Sequence, residues 1–446
     1  MVEALAFLSG VLFLVVVLAL SIGLHELGHL LPAKLFGVRV KQYAIGFGPS
    51  LFSRRVGETE YSIKAIPLGG FISMIGMFPP ERKEGRGWLA VFVRDAREQH
   101  LGEITEADEG REFYRLSMWR KLVVMLGGPV MNFLLGMLLV LIALVGIGTP
   151  QPTLTVERVS ECIEPSGTAG SCLPDDPATP AAAAGLLAGD QITSVAGKLV
   201  ASWPEAKAEL ERYPGETLQL GLLRDGVETS VSVTPVWTER QVFDDAGFPM
   251  QDSDGNPITR LQPFLGIQLG SALTPNSPAQ AVAFGISATG AVFSLLVELP
   301  AALWNVALSI VGLAERDPFG PVSILGVGQV AGQVAVADGL DPASRIASSL
   351  LIAASLNFAL FAFNLIPLLP LDGGHVATAL YEGAKRRAYR VFGRPDPGPV
   401  DTARLLPLSY LVWAVLVIFG VLLILADLLN PILVLGYQAS SAPVYA

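Results

Sequence analysis

The chain has few cysteines, few histidines and little charge, and each shortage excludes a class of protein. Two Cys among 446 residues cannot form a disulfide framework. Cys162 and Cys172 are close enough in sequence to form one disulfide; the alternative is that both remain thiols. Lys and Arg number 30 against 40 Asp and Glu, and the net charge of -10 argues against nucleic acid as a partner. Because 51% of the residues are hydrophobic, the chain is too apolar for an ordinary soluble enzyme.

Four apolar segments are therefore predicted to span a membrane and to lie in contact with the lipid bilayer. They cover about 4–30, 121–148, 349–371 and 405–429. The first segment has no basic region before its apolar core, so we do not expect it to be a cleaved signal peptide.

The distribution of basic residues predicts how these spans are oriented across the membrane. Residues 34–121 carry 15 Lys and Arg, whereas residues 150–348 carry only nine against 22 acids. The stretch Lys385–Arg394, between the last two spans, is also basic. By the positive-inside rule, 34–121 and 375–404 face the cytoplasm, and both termini and the large middle region lie outside. The prediction is a multi-pass protein of the inner (plasma) membrane.

Two of the four histidines lie in one motif, His25-Glu26-Leu27-Gly28-His29, at the end of the first span. On a helix, His25 and His29 lie on one face, one turn apart, and can bind a single metal ion. A carboxylate between them can take a proton from metal-bound water. Ionisable residues in a membrane helix are costly unless they have a function or a partner. We therefore expect a zinc site here.

Asp372 is expected to be the third ligand of the metal ion. It follows the third span in the motif Leu371-Asp372-Gly373-Gly374. Asp372 lies about 23 residues after the outer end of its helix, and His25 lies about 21 residues after the outer end of its own. The two side chains are therefore expected at a similar depth in the membrane. Two His and one Asp leave a fourth tetrahedral position for water, as a catalytic zinc ion requires. The alternative is that Asp372 merely ends a helix.

The segment 41–75 is predicted to be a β-hairpin, with strands at 43–48 and 61–66 and with Gly69, Gly70 and Phe71 at its end. Either it lines a water-accessible cleft and pairs with an extended peptide, or it is an ordinary cytosolic hairpin. A solvated loop is expected at 78–117. Asn132, near the start of the second span, either joins two helices or has a functional role.

Between the second and third spans the sequence predicts two further regions. Residues 150–271 contain short strands, two short helices and Gly-Asp turns, and this series resembles a bacterial PDZ domain that would bind a peptide or protein. Residues 272–348 are expected to form two short helices lying on the outer membrane surface and a linker, because Gly285, Gly290 and Pro300 interrupt the apolar run.

Taken in order, the motifs resemble the site-2 proteases, a family of zinc intramembrane metalloproteases. The resemblance rests on His25-Glu26-Leu27-Gly28-His29, Gly128-Pro129-Val130-Met131-Asn132, the PDZ-like region and Asn364-x-x-Pro367-x-x-x-Leu371-Asp372-Gly373-Gly374. With one PDZ-like domain and a Cys pair, the chain is most similar to the actinobacterial Rip-type members. The implied fold is a polytopic α-helical membrane protein with four spans, a membrane-associated β-hairpin and an extracytoplasmic mixed α+β PDZ domain. Its protease core would comprise 1–149 and 349–446.

The resemblance also implies roles for individual residues. One Zn²⁺ per chain would be held by His25, His29 and Asp372, near the cytoplasmic leaflet, and Glu26 would act as general base and acid. His375 would lie beside the metal without binding it. Substrate-binding residues would be Asn364, Asn132, Gly69, Gly70 and Phe71, with the hairpin holding the substrate as an added strand.

The implied reaction is hydrolysis of the transmembrane segments of single-pass membrane proteins already shortened by another protease, such as anti-sigma factors. An alternative is a non-catalytic membrane PDZ scaffold with a structural zinc ion, which would leave Glu26 without a purpose. A metal transporter is the other alternative, but the sequence contains no inverted repeat.

Overall fold

The structure is a computed structural model that describes residues 2–80, 93, 105, 108–163, 172–173, 176–242, 250, 258–317, 320–337 and 340–431. Most of the predicted loop 78–117 therefore lies outside the described residues. The chain divides into two compact units, which are treated separately below. One comprises Met1–Gly148 and Pro275–Tyr437, and the other contains Thr149–Thr274.

The elements follow one another in the order helix, hairpin, helix, β-rich unit and five further helices. They are α1 (Val2–Leu35), β1 (Val40–Val56), β2 (Thr59–Met74), α2 (Met118–Leu141), β3 (Thr149–Val159), α3 (Pro180–Ala183), β4 (Gln191–Val195), β5 (Lys198–Leu199), α4 (Trp203–Leu210), β6 (Leu218–Arg224), β7 (Val227–Val233), β8 (Val236–Gln241), β9 (Thr259–Phe264), β10 (Ile267–Thr274), α5 (Pro278–Ile310), α6 (Ile324–Val336), α7 (Pro342–Asn364), α8 (Asp372–Val391) and α9 (Leu406–Leu429). After α2 the chain continues for one wide helical turn, Ile142–Ile147.

Five helices in the described part of the chain are long and apolar enough to cross a membrane: α1, α2, α5, α7 and α9. The prediction of two short helices between 272 and 348 is wrong for α5, which is a single helix of 33 residues. Gly285 and Pro300, which suggested breaks, both lie inside it. A Cβ atom on Gly285 would come within 2.4 Å of the sulfur of Met137, so this glycine allows close packing rather than a break.

Hydrogen bonds place both ends of α5 at the same end of the helical bundle. The segments that lead into α2 and α9 are both hydrogen-bonded to residues 75–77. At the other ends of these two helices, the Asn276 N–H donates to the Leu144 carbonyl, and the Asn430 amide donates to the Ser309 carbonyl. Asn276 precedes α5 and Ser309 lies in its last turn. Because α5 begins and ends on one side, its length alone does not add a crossing.

The hairpin is present, but its strands are longer than predicted and fold back on each other. Residues 42–45 pair with 70–73 on one side and with 60–63 on the other. Gly69 has a φ of +102°, and a Cβ atom there would lie 2.5 Å from the ring of Phe47, so glycine is required at this bend. No other described strand pairs with 70–73, so this stretch forms a sheet edge.

The second unit has a sheet of short antiparallel strands in the order β10-β3-β4-β6-β7, with β5 paired to β4. Its core is formed by α4 packing on the sheet, where Trp203 and Leu210 meet Ile192, Leu220 and Leu222. Cys162 and Cys172, which the sequence left as either a pair or two thiols, form a disulfide with a Cα–Cα distance of 5.9 Å.

Candidate active site

Three side chains that are far apart in the sequence meet near the end of α1. Nε2 of His25 and Nε2 of His29 lie 3.2 Å apart. Oδ2 of Asp372 lies 3.2 Å from the first nitrogen and 3.3 Å from the second. Ligand atoms placed tetrahedrally about 2.0–2.1 Å from a zinc ion are themselves about 3.3–3.4 Å apart. The three atoms therefore have the spacing of three corners of such a site.

The chain before α8 brings Asp372 to the two histidines. A Cβ atom on Gly373 would lie 2.3 Å from the carbonyl oxygen of Ile366, and one on Gly374 would lie 2.5 Å from the nitrogen of Leu369. Only glycine fits at either position, because real Cβ atoms do not approach other atoms so closely. The two glycines thus let the backbone turn tightly at the point where Asp372 enters the site.

A main-chain carbonyl orients His29. Its Nδ1 lies 2.7 Å from the carbonyl oxygen of Val124 in α2. Since a carbonyl only accepts hydrogen bonds, Nδ1 carries the hydrogen, and the neutral ring keeps the lone pair of Nε2 for a metal ion. Sequence reasoning missed Val124, because any residue type supplies a carbonyl at that position.

Glycines also allow α1 and α2 to cross at the site. A Cβ atom on Gly28 would lie 2.2 Å from the carbonyl oxygen of Gly127. A Cβ atom on Gly128 would lie 2.3 Å from Nε2 of His29 and 2.8 Å from Nε2 of His25. Gly128 therefore lies directly against the candidate ligand atoms.

Most of the predicted site residues line one cavity of about 290 Å³. Glu26 is 7% exposed and lies beside the strand edge, where a Cβ atom on Gly70 would be 3.0 Å from its Cγ. Burial lowers the pKa of His375, another wall residue, so its imidazole is neutral at pH 7. The walls are formed by His25, Glu26, His29, Gly70, Phe71, Ile72, Met74, Met77, Met125, Asn364, Pro370, Asp372 and His375.

Two predicted substrate-binding residues are not among these walls. Gly69 lies at the bend next to Phe47, as described above. Asn132 is 1% exposed, and neither atom of its amide has a hydrogen-bond partner among the described residues. The apolar walls Met74, Met77 and Met125 were not predicted, since they come from separate segments and share no motif.

Known proteins resemble this chain along most of its length. A family model described as "Peptidase family M50" matches residues 13–393. The chain belongs to this family. The resemblance to the site-2 proteases is thereby confirmed, and the match includes His25, Glu26, His29 and Asp372.

Several characterised relatives match along most of their length. The zinc metalloprotease Rip1 of Mycolicibacterium smegmatis is 32% identical, over 95% of this chain and 98% of the relative. Rip1 of Mycobacterium tuberculosis is 30% identical, over 96% and 98%. The regulator of sigma-W protease RasP of Bacillus subtilis is 25% identical, over 85% and 91%. Peptidase family M50 therefore accounts for nearly the whole chain.

Proposed function

We propose that the chain is a zinc-dependent intramembrane endopeptidase. The observation that carries this proposal is the tetrahedral spacing of His25, His29 and Asp372, with Glu26 in the same cavity. One zinc ion per chain is the cofactor, as the names of the Rip1 relatives indicate. The donor set of two imidazoles and one carboxylate suits zinc and leaves a position for water.

The reaction proceeds without a covalent enzyme intermediate. When bound, zinc supplies a Lewis acid that activates water and polarises a peptide carbonyl. Glu26 accepts the proton of the attacking water and then delivers it to the leaving nitrogen. The carbonyl of Val124 keeps His29 in the tautomer that binds the metal. Burial of Glu26 keeps bulk water away from this proton.

The substrate is a transmembrane helix that unwinds before cleavage. The amides of a helix are hydrogen-bonded internally, so an extended segment needs new partners in the cavity. The sheet edge at 70–73 can supply them, because strand addition satisfies main-chain groups and Phe71 lines the cavity. Asn364 contributes a side-chain amide to the cavity, and one N–H of this amide donates a hydrogen bond to the Leu360 carbonyl. Asn132 does not line the cavity, but its buried amide lacks a described partner, so we retain it as a residue that would bind a further peptide group.

The biological substrates would be single-pass membrane proteins that another protease has already shortened, such as anti-sigma factors. The name of the sigma-W regulator among the relatives supports this class. We assign the unit Thr149–Thr274 to a PDZ domain that binds the new chain end or excludes bulky substrates. Both termini would lie outside the inner (plasma) membrane and the active site near its cytoplasmic leaflet. The two ends of α5 on one side of the bundle are compatible with four crossings.

A membrane scaffold with a structural zinc ion explains less. Structural zinc sites have four protein ligands, whereas the described residues offer a group of three. That function would also leave the buried carboxylate of Glu26 beside the metal without a role.

The decisive experiment compares the wild type with Glu26→Gln on a truncated single-pass substrate in detergent, with zinc counted in both. Loss of general acid–base catalysis predicts a rate decrease of about 10²–10⁴-fold with zinc retained. Glu298→Gln is the matched control, because this residue lies in α5 and lines a different cavity. Equal cleavage by wild type and Glu26→Gln would refute the mechanism. Zinc held tightly by a wild type that cleaves none of several substrates would favour the scaffold.

A further inference from the structure

Helix α8 has a surface that the peptidase mechanism does not use. It begins at Asp372 and continues for 20 residues, well beyond the cavity. It connects two helices that are long and apolar enough to cross a membrane. Seven residues separate it from α7, and 14 separate it from α9. These short connections keep α8 close to the membrane surface.

One face of α8 is packed against α2. The ammonium of Lys121 lies 2.8 Å from a carboxylate oxygen of Glu382, and both side chains are buried. Arg386 adds a second contact to Glu382, at 3.1 Å. Gly383 faces the sulfur of Met118 with no room for a side chain. These contacts fix the rotation of α8 about its axis.

The opposite face of α8 is apolar and exposed. At about 100° per residue, the side chains of this face fall within a stripe about 120° wide. Tyr381 is 59% exposed, Val391 75% and Phe392 74%. The full stripe consists of Leu380, Tyr381, Ala384, Ala388, Val391 and Phe392.

Cations border this stripe on both sides. The same arithmetic places Lys385 at one border and Arg387 at the other. Arg390 lies about 60° beyond Arg387 and is exposed. Between Lys385 and Arg394 there are five basic residues and no acid. Among the residues that the structure describes, Lys385, Arg387 and Arg390 form no ion pair, unlike Arg386 on the buried face. An apolar stripe with cations at its edges is the pattern of a helix lying in a membrane interface.

We propose that α8 lies in the membrane–water interface, with its apolar stripe in lipid and with Lys385, Arg387 and Arg390 bound to anionic headgroups. The bilayer is the occupant that fits, because the helices on either side of α8 cross it and because the cations complement its charge. The helix that begins with Asp372 would thus be held by the membrane as well as by α2. This inference rests on the membrane setting of the proposed function and not on its zinc chemistry.

The test uses the full chain in nanodiscs of phosphatidylcholine with or without phosphatidylglycerol. A nitroxide is attached to Val391→Cys, and a second preparation carries it on Asp396→Cys, an exposed site beyond the helix. The native cysteines are bonded to each other and do not react. Collisions with oxygen and with a water-soluble nickel chelate then report the depth of each label. We expect the label at 391 in lipid and the label at 396 in water.

The charge contribution is measured with Lys385→Gln, Arg387→Gln and Arg390→Gln combined. Each cation contributes about a fivefold preference for an anionic surface, so the triple variant should lose about 100-fold of its phosphatidylglycerol enrichment in native mass spectrometry. The matched control neutralises three exposed cations of the other unit, Arg158, Lys198 and Arg212. If the triple variant does not fold, Arg387→Gln alone is measured, and its phosphatidylglycerol enrichment should fall about fivefold.

Three results would overturn the inference. One is a label at 391 that is reached by the nickel chelate in both lipids. Another is a label at 391 shielded from both collision partners, which would mean that protein covers the stripe. The third is phosphatidylglycerol enrichment that is equal in the triple variant and its control. Each of these outcomes leaves the Glu26→Gln comparison unaffected, so failure here and failure of the peptidase proposal can be told apart.

Discussion

The glycine at the crossing of α1 and α2 offers the sharpest test of the candidate site. In Gly128→Ala, the added methyl carbon would lie 2.3 Å from Nε2 of His29 and 2.8 Å from Nε2 of His25. Ordinary contacts of a Cβ atom begin at 3.4 Å, so the overlap with His29 is about 1.1 Å (3.4 minus 2.3). One methyl group thus meets both of the imidazole nitrogens that we assign to zinc.

The loss of zinc affinity in Gly128→Ala depends on which groups move to make room for the methyl. The rings can swing away, which separates the nitrogens from Asp372, or α1 and α2 can part, which breaks the contact of His29 with Val124. Loss of an orienting partner alone lowers metal affinity by about 10–100-fold. Displacement of the ligand atoms themselves should cost at least the upper value, so we expect zinc affinity to fall by about 100-fold or more.

The assay is zinc per chain after purification, followed by competition with a chelator of known affinity. Gly420→Ala is the matched control, because a Cβ atom on this glycine of α9 meets nothing within 4 Å. The control should therefore keep wild-type zinc affinity.

Gly28→Ala separates loss of metal from loss of packing. Its methyl would meet the main-chain oxygen of Gly127 at 2.2 Å, and the backbone cannot rotate out of the way as an imidazole ring can. We expect this variant to lower the melting temperature, whereas Gly128→Ala should chiefly lose zinc. Wild-type zinc affinity in Gly128→Ala would refute the arrangement of the two histidines.

Two further predictions concern the strand edge and the other unit. Gly70→Ala should lower kcat for a single-pass substrate by about tenfold with zinc retained. Its methyl would lie 2.8 Å from Ile22, 2.9 Å from the Ala44 carbonyl oxygen and 3.0 Å from Cγ of Glu26, so the strand edge and the carboxylate must move apart. A rate equal to that of Gly420→Ala would contradict this. In the second unit, a hydrogen bond from Arg224 holds the pKa of Asp190 below its usual value. Because the folded-state pKa is lowered, the stabilisation is complete above about pH 4 and is lost as the pH falls further. Hydrogen exchange in β4, corrected for intrinsic rates, should therefore differ between wild type and Asp190→Asn at pH 6, and the difference should shrink as the pH is lowered below about 4. A difference that stays constant as the pH falls would exclude this linkage.

The sequence was sufficient to propose the chemistry of the candidate site, because most of the signals are local. The spacing of His25 and His29 places both on one helical face in any context, and α1 has that helix. Asp372 was found by counting depth along two helices that both run toward the site, and its oxygen lies 3.2 Å from His25. The predicted membrane segments likewise follow from length and apolarity, which do not depend on neighbours.

Only the tertiary structure could decide features that depend on distant atoms. Glycine and proline in 272–348 favoured a break, yet α5 is continuous, because Gly285 gives space to Met137 from another helix. Val124 orients His29 through a carbonyl that carries no sequence signal. The hairpin predicted at 41–75 folds back so that one strand has two partners, which no local pattern specifies.

For this protein, the sequence by itself determined the class of protein, the family and the donor atoms of the candidate zinc site, since residue type and helical spacing are properties of short segments. The tertiary structure decided how those atoms are held. It placed Gly128 against the ligand nitrogens, the edge at 70–73 beside Glu26, and the apolar stripe of α8 on the side away from α2. Such placements depend on which surfaces pack together, and packing is a property of the whole chain.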